Sequence, residues 1–283
     1  RVGIRRAPQR GAPAQGGSAM RHCAHLLQFS VLLGVVFGFR HRMSIAALAA
    51  DMPRSSFEVV KQLPHDRSTF TQGLVVHDGH LYESGGLYHR SRLRVIDQHS
   101  GEVLRERPVH KEFFAEGIDV VGDTLYMLTY KEKRVLTFDV ATLEPGPTYP
   151  FSTKTREGWG LTHSDDSTFI VSDGSEYLFF WDRATMTERY RVPVTIDGQP
   201  VHHINELEFV NGYVYANVWY TDWLLKIDPA TGHVVHAFDF RELWPMRDRP
   251  RSADCFNGLA HDPKTGEWIV TGKLWPHMYR VRI

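Results

Sequence analysis

Phe70-Thr71-Gln72-Gly73-Leu74 is the stretch on which the rest of the chain is patterned, because its last three residues open a unit that returns four more times. The returns are Glu116-Gly117-Ile118, Trp159-Gly160-Leu161, Asn205-Glu206-Leu207 and Asn257-Gly258-Leu259, and their aliphatic residues follow one another at intervals of 44, 43, 46 and 52 residues. A period in this range marks a repeat architecture in which each unit is one supersecondary element. A second run in each unit is aromatic and β-branched: Leu81-Tyr82-Glu83-Ser84, Leu125-Tyr126-Met127-Leu128, Phe169-Ile170-Val171-Ser172, Val214-Tyr215-Ala216-Asn217 and Trp268-Ile269-Val270-Thr271. Turn residues such as Asp78-Gly79, Gly122-Asp123 and Asn211-Gly212 bound these runs, which is strand and hairpin chemistry. A third run ends in Asp97, Asp139, Asp182 or Asp228, followed three residues later by Ser100, Thr142, Thr185 or Thr231. Short side chains so placed bond local backbone in a turn, and the recurrence reads as scaffold.

The fifth unit reaches a third strand, Met278 to Ile283, and lacks a fourth. Phe57-Glu58-Val59-Val60-Lys61, just ahead of the first unit, is the natural donor, because its pairing there would close the ring and remove the open sheet edges. The expected fold is all-β: a five-bladed β-propeller over residues 56–283, its ring closed by an N-terminal strand in the last blade, with no helix longer than a turn or two.

Composition bounds the function. A chain of 283 residues with 42% hydrophobic and 12% aromatic content buries a large core, and its net charge of zero supplies no global field for nucleic acid or an anionic membrane. Its two cysteines, Cys23 and Cys255, lie in different regions, so no intrachain disulfide is expected in the mature domain. Residues 1–55 read as an N-terminal extension, disordered or removed. Arg1 to Ser18 is rich in Arg, Gly, Ala and Pro, and Met20 offers an alternative start. Arg21 and His22, an apolar run from Leu26 to Phe39 and Ala46-Ala47-Leu48-Ala49-Ala50 have the order of a secretory signal peptide cleaved near Ala49 or Ala50. That run is shorter than the roughly 20 residues of a membrane span. A periplasmic or secreted monomer without stable membrane association is expected, with an uncleaved anchor as the alternative.

In a propeller the first strand of each blade lines the axial channel, so residues at its start gather at one mouth. They are Gln72, Glu116, Trp159, Asn205 and Asn257. The second strand is antiparallel, so its end lies beside them and contributes Gly86, Tyr130, Gly174, Trp219 and Lys273, the two glycines leaving room. Taken singly, Trp159 and Trp219 read as core packing, Lys273 as a solvated end and Glu116 as a loop carboxylate. Together, at a register that changes residue type in every blade, they read as a pocket around one bound molecule. Phe70 and Phe114, two residues before their ring members, add apolar walls. Glu83 stands where other blades have Met127, Val171, Ala216 or Val270, and so reads as a buried carboxylate supporting the pocket or making a structural hydrogen bond. Neither a zinc pattern nor a Gly-x-Ser-x-Gly elbow, P-loop or dinucleotide fingerprint occurs, and the adjacent His202-His203 reads as a solvated loop.

Phe70-Thr71-Gln72-Gly73-Leu74, Tyr82-Glu83-Ser84, Glu116-Gly117, Glu157-Gly158-Trp159-Gly160-Leu161, Asn205-Glu206-Leu207-Glu208, Ala216-Asn217-Val218-Trp219 and Thr271-Gly272-Lys273-Leu274-Trp275 together resemble the plant and bacterial type of glutaminyl cyclase, or glutamine cyclotransferase. The likeness covers residues 57–283. It implies a five-bladed propeller that converts N-terminal glutamine of peptides or proteins to pyroglutamate with release of ammonia, without catalytic zinc. It puts the catalytic acid/base at Glu116, polar substrate contacts at Gln72, Asn205 and Lys273, and aromatic walls at Phe70, Phe114, Trp159 and Trp219. Tyr130 stands where such proteins usually have Trp, Ala115 replaces a usual Gly, and Ser84-Gly85-Gly86 departs from the common Ser-Thr-Gly. Asn257 and Glu83 are expected behind the direct contacts. No cofactor is expected for catalysis, and a structural cation in the channel stays open. The alternatives are a propeller that binds a peptide or small ligand without chemistry, and a metal-dependent lactonase.

Overall fold

Each of the five repeats folds as a four-stranded antiparallel sheet, and the computed structural model describes residues 54–283. The first blade runs Thr71–His77, His80–Gly85, Arg92–Asp97 and Val103–Pro108. The second runs Ala115–Val121, Thr124–Thr129, Arg134–Asp139 and Pro145–Pro150. The third runs Leu161–Asp165, Thr168–Val171, Tyr177–Asp182 and Thr187–Pro193. Ile204–Val210, Tyr213–Val218, Trp223–Ile227 and Val234–Asp239 make the fourth. Phe256–His261, Trp268–Gly272 and His277–Arg282 begin the fifth.

Glu58–Pro64 completes the fifth blade, antiparallel to His277–Arg282 with Glu58 opposite Arg282 and Pro64 opposite His277. Ring closure is therefore as expected, except that the strand runs three residues further and Phe57 leaves it to stack on Phe240, ring centroids 4.6 Å apart. Arg54–Ser55 pairs in parallel with Val234–Asp239 of blade four, and from there the chain passes into the closing strand of blade five. The expected leader and its cleavage site lie outside the described residues. Among those described, no helix is long and apolar enough to cross a membrane, and Met246–Asp248 forms a single 3-10 turn.

The hydrophobic core is divided among the blade interfaces, because each sheet has two faces and must bury both. Val75, Tyr82 and Leu93 of blade one pack with Ile118 and Met127 of blade two. Tyr126 packs with Phe169 and Phe179, Ile170 with Leu207 and Val214, Tyr215 with Trp268, and Leu74 with Met278, which carries the pattern round the ring. Burial falls outward: Ala115–Val121 is buried throughout, while Val103–Pro108 is almost wholly exposed. The aspartate turns form as read. Asp97 Oδ1 accepts from the Ser100 amide at 2.7 Å, and Asp139, Asp182 and Asp228 hold Thr142, Thr185 and Thr231.

At the axis the inner strands of blades two and three approach so closely that no side chain fits between them. A β-carbon on Gly117 would lie 2.6 Å from both the Leu161 amide and the Trp159 carbonyl of blade three. Blade four carries Glu206 at the equivalent position, and its carboxyl crosses the axis. Oε1 accepts from the Leu74 amide at 3.0 Å and Oε2 from the Leu259 amide at 3.1 Å, joining blades one, four and five.

Candidate active site

The start of the inner strand is irregular in four blades. The pairing register shifts between Thr71 and Gly73, Ala115 and Ile118, Ile204 and Leu207, and Phe256 and Leu259, which places a bulge at Gln72, Glu116, Asn205 and Asn257. A bulge inserts an unpaired residue and re-aims its side chain, a device common beside active sites. In blade three the strand begins only at Leu161, and Trp159 precedes it, held by its amide on the Ser172 carbonyl at 3.0 Å. The second ring lies alongside: Gly86, Tyr130, Trp219 and Lys273 donate their amides to Phe70, Phe114, His203 and Cys255.

Glu116 is the centre of this arrangement. It is 3% exposed, and Gln72 Nε2 donates to its Oε1 at 3.0 Å. Burial pushes its carboxyl well above the usual carboxylate range; Lys273 opposes this and the charges of Glu157 and Glu132 reinforce it. Lys273 is itself buried and lies 4.6 Å from the centre of the Phe70 ring, a cation–π contact. From Phe70 the aromatic wall continues to Phe114 at 6.2 Å edge-on, then to Tyr130 at 5.5 Å. Across the mouth Trp159 meets Trp219 edge-on at 5.3 Å. Asn205 is buried, and its backbone carbonyl accepts from Ser172 Oγ at 2.6 Å. Asn257 Nδ2 donates to the Thr71 carbonyl at 3.0 Å, which steadies the residue before Gln72. Gln72 Oε1 and Asn257 Oδ1 are buried acceptors with no protein donor.

Glu83 sits behind this wall. Its Oε1 accepts from Thr71 Oγ1 and His65 Nε2, each at 2.7 Å, and Arg94 lies 3.8 Å from Oε2. Arg94 reaches on to Asp66 at 2.6 Å and Glu106 at 2.7 Å, and donates to Thr69 Oγ1. The structural hydrogen bonds read for Glu83 are present, and one of its donors, Thr71, immediately precedes Gln72 in the chain. Glu116 itself is not a loop carboxylate, and Lys273 is not a solvated end.

One reading is corrected. Gly86 and Gly174 leave no open space: a β-carbon on Gly86 would fall 2.9 Å from Phe114 Cζ, and one on Gly174, where φ is +77°, 2.6 Å from the Trp159 indole. The glycines admit neighbouring aromatic rings, so the pocket is narrower than a count of small residues suggests. His202-His203 lies in a loop, as read, with His202 exposed. His202 lies 3.5 Å from Glu176, and the His203 ring packs 5.8 Å from Trp219. Cys255 is buried, and its thiol is pushed up to about 12, which suits an inert residue.

Residues that sequence reasoning passed over line the rim. Glu132 Oε1 accepts from the Tyr88 hydroxyl at 2.7 Å, and Tyr88 stands edge-on to Phe114 at 5.4 Å. Glu157 Oε2 accepts from Trp159 Nε1 at 3.0 Å. The presence of Glu157 two residues before a ring member was the available signal. At the far end of the axis a cavity of about 510 Å³ is lined by Asp119, His163, Glu208 and His261, with Asp119 bonded to His163 at 2.6 Å.

Comparison with known proteins fits this geometry. A glutaminyl-peptide cyclotransferase of Arabidopsis thaliana is 31% identical over an alignment of 269 residues that covers 92% of this chain and 83% of that one. The crystal structure of Myxococcus xanthus glutaminyl cyclase superposes with a TM-score of 0.74 at 35% identity, covering 82% of this chain and 98% of that chain. The family model for glutamine cyclotransferase matches residues 33–283. With a five-bladed ring and a buried carboxylate at one mouth, the chain belongs to the glutamine cyclotransferase family.

Proposed function

We propose that this protein is a glutaminyl-peptide cyclotransferase acting on peptides or proteins with N-terminal glutamine, and that Glu116 is its acid/base. The observation that carries the assignment of Glu116 is its burial in an aromatic mouth, with Gln72 hydrogen-bonded to it and its carboxyl held above the usual range. The substrate supplies both reactants, the α-amine and the γ-carboxamide carbon. The site has only to fold the glutamine side chain back on itself, which collects the large advantage of an intramolecular reaction. The amine nitrogen attacks the carboxamide carbon and loses a proton to Glu116; the C–N bond to the amide nitrogen breaks, and Glu116 returns the proton so that ammonia leaves. A carboxyl whose pKa lies nearer neutrality than an ordinary glutamate serves both halves of that transfer.

Lys273, with Gln72 and Asn205, is suited to bind the carboxamide oxygen as negative charge develops there. Loss of one such donor typically costs about 3 kcal/mol in the transition state. Gln72 Oε1 and Asn257 Oδ1 are free to accept from the substrate's amine and amide hydrogens, with Asn257 also holding Thr71. Phe70, Phe114, Tyr130, Trp159 and Trp219 exclude water and confine the side chain. The reaction itself needs no cofactor. The basic flank, apolar run and alanine-rich site between Arg21 and Ala50 support an exported chain, which we take to act as a monomer.

The test is incubation of the purified chain with a Gln-initiated peptide, with and without chelator, reading ammonia and pyroglutamate. Ammonia release that survives chelation is expected. Chelator-sensitive lactone hydrolysis would instead make it a lactonase, binding without turnover would make it a binding module, and a chelator-dependent loss of thermal stability alone would reveal a structural cation in the channel.

A further inference from the structure

Glu157 lies in the loop between blades two and three, and the loop holds its backbone on both sides. The Glu157 amide donates to Thr155 Oγ1 at 3.3 Å, its carbonyl accepts from Thr153 Oγ1 at 2.7 Å, and the following Gly158 amide donates to the Tyr130 carbonyl at 2.9 Å. The side chain is only 21% exposed. From that fixed position one carboxylate meets two donors. It accepts from the Trp159 indole nitrogen at 3.0 Å, and Lys131 Nζ lies 3.5 Å away and 4.6 Å from the centre of the Tyr130 ring. Trp159 and Tyr130 belong to opposite arcs of the wall: the first leans on Trp219, the second on Phe114.

We propose that Glu157 is a positioning residue which ties down the Trp159 wall directly and the Tyr130 wall through Lys131, and so fixes the width of the mouth in which the glutamine side chain folds back. This rests on the cyclotransferase reading of the same site. A ring held by a charged acceptor keeps one orientation, and a cyclisation that depends on a folded-back conformer loses rate steeply when its walls loosen. Glu157 also faces Glu116 from blade three. The other charged or titratable groups facing Glu116 are Lys273 from blade five, Glu132 and Tyr130 from blade two and Tyr88 from blade one.

The experiment is steady-state kinetics of wild type, Glu157→Ala, Glu157→Gln and Tyr130→Phe on one Gln-initiated peptide across pH, with tryptophan emission measured in parallel. Glu157→Ala should raise KM by about tenfold or more and shift tryptophan emission as the indole loses its acceptor. Glu157→Gln, which keeps an oxygen acceptor, should recover part of KM, and Tyr130→Phe should raise KM least. Both Glu157 variants should move the acid limb of kcat/KM to lower pH, since a negative charge near Glu116 is gone; Tyr130→Phe should leave that limb in place. A residue that merely holds the loop would lower the folded fraction while leaving KM and the acid limb of the remaining enzyme unchanged, and that result would overturn the proposal. If Glu157→Ala fails to fold, the other two variants decide by the same criteria. If wild type turns over no Gln-initiated peptide, the cyclotransferase reading fails, and unchanged emission in the variants would then also sink the clamp.

Discussion

Glu83 and Glu116 are both carboxylates buried near one mouth of the propeller, and the protein treats them in opposite ways. Glu83 is met by His65, Thr71 and Arg94, and although burial pushes its carboxyl up, these partners bring it below the usual range. Glu116 receives one amide hydrogen bond, from Gln72, and burial leaves it well above that range. The first is held ionised and silent, while the second is kept ready to gain or lose a proton. Burial alone therefore identifies neither a structural nor a reactive carboxylate; the count of charged partners distinguishes them.

The sharpest way to break this comparison is to neutralise each in turn. Glu116→Gln should lower kcat by roughly 10²–10⁴-fold, the range for loss of a general acid/base, and leave the melting temperature within a few degrees of wild type. A buried carboxyl with no salt bridge contributes little to stability, and Gln keeps an oxygen to accept from Gln72, so the amide is tolerated. A variant that keeps most of its kcat would remove Glu116 from the proton transfer.

Glu83→Ala should show the reverse. It would leave the buried His65 without its carboxylate partner and Thr71 Oγ1 without its acceptor, and should destabilise the domain by roughly 3–5 kcal/mol, read by denaturant unfolding. The pH dependence sharpens the point. Glu83, whose carboxyl is depressed, gives stability that is present above the usual carboxyl value of 4.5 and is lost as pH falls through its folded value. His65, whose imidazole is raised mainly by the Glu83 charge against the pull of burial, gives stability that is full below its usual 6.5 and is lost as pH rises through its folded value. The difference in melting temperature between wild type and Glu83→Gln should then be widest between pH 4.5 and 6.5 and narrow on either side. A difference that is flat across pH would mean the pair is neutral in the folded protein.

Much of this was legible in the chain and some was not, for reasons that differ by residue. The five-fold period, the Asp97, Asp139, Asp182 and Asp228 turns and the closing strand could be read because they depend on local chemistry repeated in register. The grouping of Gln72, Glu116 and Lys273 could be read because strand direction alone fixes which ends meet. The bulges could not, since they arise where neighbouring inner strands crowd the axis. The axial reach of Glu206 to Leu74 and Leu259 links residues from three blades and leaves no trace in any one repeat. Gly86 and Gly174 misled because a missing side chain marks room without saying what fills it, and here Phe114 and Trp159 do.

A smaller effect should come from Ser84, which occupies one register with Ser172 and Asn217 at the seams between blades. Ser84 Oγ donates to the Glu116 carbonyl at 2.6 Å, Ser172 Oγ to the Asn205 carbonyl at 2.6 Å, and Asn217 Oδ1 accepts from the Gly258 amide at 2.9 Å. Each polar side chain thus takes up a backbone group at the bulge of the next blade. Ser84→Ala leaves the Glu116 carbonyl unpaired and buried, which should cost about 1–2 kcal/mol and lower the melting temperature by a few degrees. Because that carbonyl belongs to the reacting residue, kcat should also fall, by less than about tenfold, whereas Asp97→Asn on the remote rim should leave kcat unchanged. Equal kcat losses from Ser84→Ala and Asp97→Asn would show that the seam hydrogen bond does not set the aim of Glu116, and that the bulge alone holds it.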